Sequence, residues 1–145
     1  MLFFSFFYTY TSDISAISQV HIELKDVEIT KPTFYNVTLT LLMNISNPTE
    51  RTIQDLSSDF DIYIGSNRIG SGSFSGITIQ PKSSTLEPVA TIITYKGLAH
   101  SIIERLSDLI NGQQTTIIIE GTMTAKVFFG LGQTSQEFTA TIITT

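Results

Sequence analysis

Two stretches of this chain have residue types and spacing that could do chemistry: the run Gly70-Ser71-Gly72-Ser73-Phe74-Ser75-Gly76 and the carboxylates Asp55, Asp59 and Asp61. A nucleophile elbow needs Ser at the centre of G-x-S-x-G, and the centre of the window Gly72 to Gly76 is Phe74. A dinucleotide loop needs its third Gly where Ser75 stands, followed by a helix. The glycines therefore read as bends in a strand. Asp59 and Asp61 share one strand face and, with Asp55, could approach a divalent cation. Hard cations require six or more oxygens, and no ligand-dense loop is present, so the three read as solvated carboxylates. His21 and His100 are the only histidines, which rules out a His-rich metal set, and neither has the serine and acid context of a triad. Without cysteine there is no thiolate zinc site, thiol nucleophile or disulfide. No catalytic, metal or cofactor-binding residue is assigned, and a non-enzyme is expected.

One modification chemistry remains open. Asn36-Val37-Thr38 and Asn44-Ile45-Ser46 are acceptor sequons on one strand face, and would carry glycans at Asn36 and Asn44 if the chain is exported. Asn47 is excluded by Pro48.

The elements that must position these residues are mostly strands. A chain of 145 residues forms one domain with an ordinary core. Only 14% of residues are charged, Ser and Thr take their place, and Ile and Thr dominate, both β-branched. The net charge of −5, with eight scattered Lys and Arg, argues against nucleic acid as a partner.

Val20, Ile22 and Leu24 alternate with polar residues, then the parity slips to Val27 and Ile29, which predicts a bulge or a change of sheet. From Phe34 to Ser46, Val37, Leu39, Leu41, Met43 and Ile45 form one face, with Leu42 out of phase. Leu56 to Ile64 and Arg68 to Gln80 read as a hairpin about Gly65-Ser66-Asn67. Thr85 to Tyr95 follows, its Pro88 implying an edge or a start. Leu98, Ile102, Leu106, Leu109 and Ile110 then recur at helical spacing, predicting a single helix over residues 96–111 with a stop at Asn111-Gly112. Gln114 to Phe129 and Ser135 to Ile143 form a last strand pair around a turn at Leu131. About seven strands and one helix predict an all-β fold, a two-sheet β-sandwich.

The chain divides into residues 1–18 and a sandwich domain over 19–145. Met1 to Tyr8 is apolar and aromatic, too short to span a bilayer and without a basic start. Three readings stay open: the tail of a membrane anchor, a short atypical signal, or a strand packing on this domain or a neighbour. The expected location is membrane-anchored or extracellular, with the cytoplasm also open.

A more telling motif is Asn47-Pro48-Thr49, which stops the long strand before it. Proline lacks the N–H and holds its predecessor extended, while Asn47 can bond the backbone two residues on. With it stand Ile53, the strand Phe60-Asp61-Ile62-Tyr63-Ile64-Gly65, Ile69 and Gly70, the run Leu86 to Tyr95, the helix and the final hairpin. In this order, over 20–144, the chain resembles the group-2 (atypical) late embryogenesis abundant family, whose domain is also called the water-stress and hypersensitive-response domain. It departs in carrying Thr49 where the family usually has Asn. The resemblance implies an immunoglobulin- or fibronectin type III-like sandwich with one helix, a role in stress or desiccation protection, often on a membrane-anchored protein, and no catalytic residues. The Ile- and Thr-rich, Cys-free style is also similar to that of archaeal cell-surface proteins.

The function expected is protection through the protein's surface, with membranes or client proteins as partners. The alternative is an extracellular assembly subunit, self-associating through residues 1–18 by strand addition. Asn47, Pro48 and Thr49 are expected to be structural, and loss of the Asn47 side chain to cost about 0.5–2 kcal/mol, the magnitude of a capping side chain.

Overall fold

The computed structural model describes residues 19–127 and 132–144. Among these residues seven strands and one complete helix follow in order: β1 (His21–Thr30), β2 (Asn36–Asn47), β3 (Ile53–Ile64), β4 (Asn67–Ile79), β5 (Ser83–Thr94), α1 (His100–Ile110), β6 (Thr116–Val127) and β7 (Gly132–Ile143). The turn expected at Leu131 and all expectations for residues 1–18 lie outside the described residues.

The strands form two antiparallel sheets, β1-β2-β5 and β4-β3-β6-β7. The expected all-β sandwich is the observed fold. It differs from a constant-type immunoglobulin domain in that β4 joins the sheet of β3, β6 and β7. At the corners of the sandwich β5 meets β4 and β1 meets β7.

Each sheet turns its apolar period inward. β2 is the central strand of the three-stranded sheet, and Val37, Leu39, Leu41, Met43 and Ile45 on its inner face are fully buried. Leu56, Phe60, Ile62 and Ile64 of β3 and Ile117, Ile119, Met123 and Ala125 of β6 meet them from the other sheet. Each large aliphatic buried there contributes about 1.5–3 kcal/mol of transfer free energy. The parity slip read in β1 is a bulge between Leu24 and Asp26. It lets Val20, Ile22 and Leu24 pack fully while Val27 and Ile29 are half-buried. Pro88 lies in β5, an edge strand, where a missing N–H costs no ladder bond to a further neighbour.

The helix is shorter than its periodicity implies. Residues 96–99 form a turn and an extended approach in place of its predicted first turn: Gly97 has φ +89°, and the Leu98 N–H bonds the Tyr95 carbonyl at 3.0 Å. Ala99 is extended, so the helix starts at His100. Leu98 packs against the core from this turn, which places it in phase with the helical stripe without being helical. At the other end Asn111-Gly112 is the stop expected. Gly112 is left-handed at φ +78°, and the N–H groups of Gly112 and Gln113 return to Leu109 and Asp108. Ile102, Leu106 and Leu109 are buried, so α1 covers one end of the sandwich.

Candidate functional site

The Asn47-Pro48-Thr49 motif sits where β2 leaves its sheet, at the end of the sandwich opposite α1. Asn47 is only 1% exposed. Its Nδ2 donates to the carbonyl oxygens of Arg51 (2.7 Å), Gln80 (3.1 Å) and Ile79 (3.2 Å). Two N–H groups serve three acceptors, so one bond is shared. Its Oδ1 accepts from the Thr49 hydroxyl (2.6 Å) and the Thr49 N–H (3.1 Å), the second being the bond two residues on that the sequence predicts.

Thr49 extends the network. Its hydroxyl accepts from the Arg51 N–H at 3.2 Å, and its carbonyl receives the Lys82 N–H at 2.9 Å. Pro48 is exposed and supplies only the stop. Asn47 and Thr49 thus lock the β2–β3 loop to the β4–β5 turn. Every polar atom of the Asn47 side chain is taken up by the carbonyls of Arg51, Ile79 and Gln80 or by Thr49, so the side chain acts as a strut between the loops.

The three aspartates do not converge. Asp55 lies at a bulge in β3 with φ +51° and pairs with Lys126 at 2.9 Å. Asp61 pairs with the Arg68 guanidinium at 2.9 Å across the β3–β4 hairpin. Asp59 points outward between Ser73 and Thr122. Among the described residues no three His, Asp or Glu side chains gather as a metal site would require. Asp59 and Asp61 line an open depression of about 590 Å³ on the outer face of the four-stranded sheet, with Arg68, Ser71, Ser73, Glu120 and Thr122. Sequence reasoning missed that Glu120 stands directly opposite Asp61, because that register joins strands far apart in the chain.

His21 starts β1 at the Asn47 end, whereas His100 starts α1 at the other, where its Nε2 meets Glu104 at 3.1 Å. Asn36 and Asn44 are half-exposed on β2, one at its start and one near its end. The Asn36 Oδ1 accepts from the Thr33 hydroxyl, and the Asn44 amide reaches Ser46 at 3.4 Å.

The glycine run that mimics catalytic loops is a packing seam. A Cβ on Gly70 would lie 2.6 Å from the Ile93 side chain, and one on Gly72 2.7 Å from the Phe60 ring. Gly76, at φ +68°, falls where β4 gains a residue relative to β3.

One surface feature was not foreseen. The sequence pattern starts a strand at Phe34, yet β2 begins at Asn36, and Phe34 and Tyr35 stand on the β1–β2 loop, 96% and 77% exposed. The available signal was Lys31-Pro32 just before them, a stop that leaves two aromatics in a short connection.

No family model and no curated protein sequence matches this chain. Solved structures do. AT1g01470 from Arabidopsis thaliana is similar with a TM-score of 0.56 at 16% identity, over 83% of this chain and 77% of that one. The structural-genomics target SoR45 is similar with a TM-score of 0.50 at 12% identity, over 86% and 87%. A protein assigned to the late embryogenesis abundant (LEA) class, At2g46140.1, aligns with a TM-score of 0.48 at 13% identity, over 98% and 82%. At such identities the likeness is one of fold alone, an antiparallel β-sandwich of the same kind.

Proposed function

We propose that this protein is a non-enzymatic stress protein of the group-2 LEA type, which protects membranes or proteins through its folded surface during water loss. The observation that carries the reading is the Asn47–Thr49 strut. In the motif at the centre of the sequence resemblance Asn47 is buried, and its side chain bonds Thr49 and loop carbonyls, tying two loops of the sandwich together. The remaining pieces of the resemblance assemble around it in order, from β3 to the final hairpin. Asp55 and Asp61 are held by Lys126 and Arg68, as befits surface carboxylates.

Drying and rehydration test the reading. A labile enzyme, or dye-loaded vesicles, would be dried with this protein or with an equal mass of an unrelated folded β-sandwich. Greater recovery of activity, or greater dye retention, is expected with this protein. Equal recovery in both would defeat the proposal.

A further inference from the structure

Phe34 and Tyr35 form an aromatic tip that the fold holds in water. The loop is braced: the Thr33 hydroxyl accepts the N–H groups of Tyr35 (3.1 Å) and Asn36 (3.0 Å), and the Thr33 N–H reaches the Asn36 carbonyl at 2.8 Å. The Tyr35 carbonyl receives the Tyr95 N–H at 3.0 Å, which ties the tip to the exit of β5 and brings Lys96 beside it. A braced loop with two nearly bare aromatics differs from scattered surface apolar residues, because its conformational cost is already met before any partner arrives.

The charge around the tip runs against the rest of the molecule. The chain carries a net −5, yet the two charged residues closest in sequence to this loop and to the adjoining turn are Lys31 and Lys96. Both are exposed, and among the described residues neither has an acidic partner, as is true also of Lys82 and Arg105, whereas Lys25, Arg68 and Lys126 each do. The next acid along the chain from Lys96 is Glu104 on α1, 3.1 Å from the His100 Nε2.

We infer that the Phe34–Tyr35 tip, flanked by Lys31 and Lys96, docks on a membrane surface bearing anionic headgroups. Phe and Tyr rings suit the boundary between headgroups and acyl chains, and the two ammonium groups meet lipid phosphates. Two adjacent rings on a hairpin apex make a wedge, which enters a soft interface but falls short of the broad patch a stable protein partner covers. An anchor this small gives weak, reversible binding. The inference names a surface for the protective role proposed above, yet its readout is insertion and not protection, so either can fail alone.

The test uses the full chain. It contains no tryptophan, so Phe34→Trp introduces a single indole at an exposed position. With vesicles of phosphatidylcholine and phosphatidylglycerol, the indole emission of this variant is expected to shift to the blue and to be quenched by brominated acyl chains. Vesicles of phosphatidylcholine alone should give a much smaller effect. The pair Lys31→Gln and Lys96→Gln should weaken partition onto the anionic vesicles by roughly 25-fold, at about fivefold per lysine. The pair Phe34→Ser and Tyr35→Ser should weaken it at least about tenfold without moving the melting transition, since neither ring is part of the core. Vesicle binding with indole emission unchanged from water would place the contact elsewhere and overturn the inference. No binding at all, or a shift produced only by added protein, would overturn it too.

Discussion

Phe60 and Gly121 stand opposite each other on β3 and β6, so close that a methyl group on Gly121 would strike the Asp59 carbonyl and come within 2.6 Å of the Phe60 Cβ. On the other flank of Phe60, β4 also presents a glycine, Gly72. The ring lies between two residues without side chains and meets Phe74 and Phe138 at 6.5 Å. Two glycines in β-rich surroundings thus have a packing reason that has nothing to do with flexibility.

The two glycines should differ in their tolerance of alanine. At Gly121 the obstacle is backbone, the Asp59 carbonyl and the Phe60 Cα, which cannot move without disturbing the β3–β6 ladder. At Gly72 the nearest obstacle is the far edge of the Phe60 ring, 2.7 Å away, which can tilt. Gly121→Ala should therefore cost at least the usual overpacking penalty of about 1–3 kcal/mol, and Gly72→Ala less. Urea unfolding of both variants, compared at equal m, checks the order. A Gly72 penalty equal to or above that of Gly121 would refute it.

Ser58 offers a gain instead. It is 5% exposed on the inner face of β3, and its hydroxyl has no hydrogen-bond partner among the described residues. Burying an unpaired hydroxyl is unfavourable, and Ala removes it while leaving little empty volume. Ser58→Ala should raise stability by about 0.5–1.5 kcal/mol in equilibrium unfolding. A loss of stability would mean that the hydroxyl has a partner after all.

What could be read from the chain follows a physical division. Within one strand the period shows the buried face directly, as in β2, and even the β1 bulge was visible because a bulge reverses parity. The start of α1 was misplaced because Leu98 falls in the helical phase while packing from a turn. Contacts across strands were not legible. The bonds from Asn47 to the carbonyls of Ile79 and Gln80, and the facing of Asp61 and Glu120, depend on register between segments that only the folded sheets bring together. The exposed Phe34 was concealed by its own hydrophobicity, which in a linear pattern resembles the beginning of a strand.

The misplaced helix start points to an unused cap. Ala99 occupies the N-cap with φ −63° and ψ 150°, makes no side-chain bond, and the first turn carries no acid. Ala99→Asp should supply an acceptor for the free N–H groups and a negative charge at the positive end of the dipole. The expected gain is about 0.5–2 kcal/mol, read as a rise in melting temperature. Ala99→Leu, which adds no acceptor, should give no such rise.

Asn47 makes the strongest claim on stability. The expectation from sequence was a cap-sized loss, yet the side chain serves three carbonyls and two groups of Thr49 in a nearly dry site. Asn47→Ala leaves several of these without partners, so the loss should reach about 2–4 kcal/mol. Asn47→Asp keeps the acceptor toward Thr49 but turns a second oxygen toward the three carbonyls, and at neutral pH it should cost more than alanine. The introduced carboxyl is better tolerated protonated, when it can donate, so its folded-state pKa lies above its unfolded one. The folded variant then holds the proton more tightly. Its deficit relative to the parent is largest above the folded pKa and narrows as pH falls through it. Parallel urea titrations of both variants across acidic to neutral pH check this. An Asn47→Asp deficit that stayed constant or widened toward acid would show that the amide does not act as a donor to the loop carbonyls.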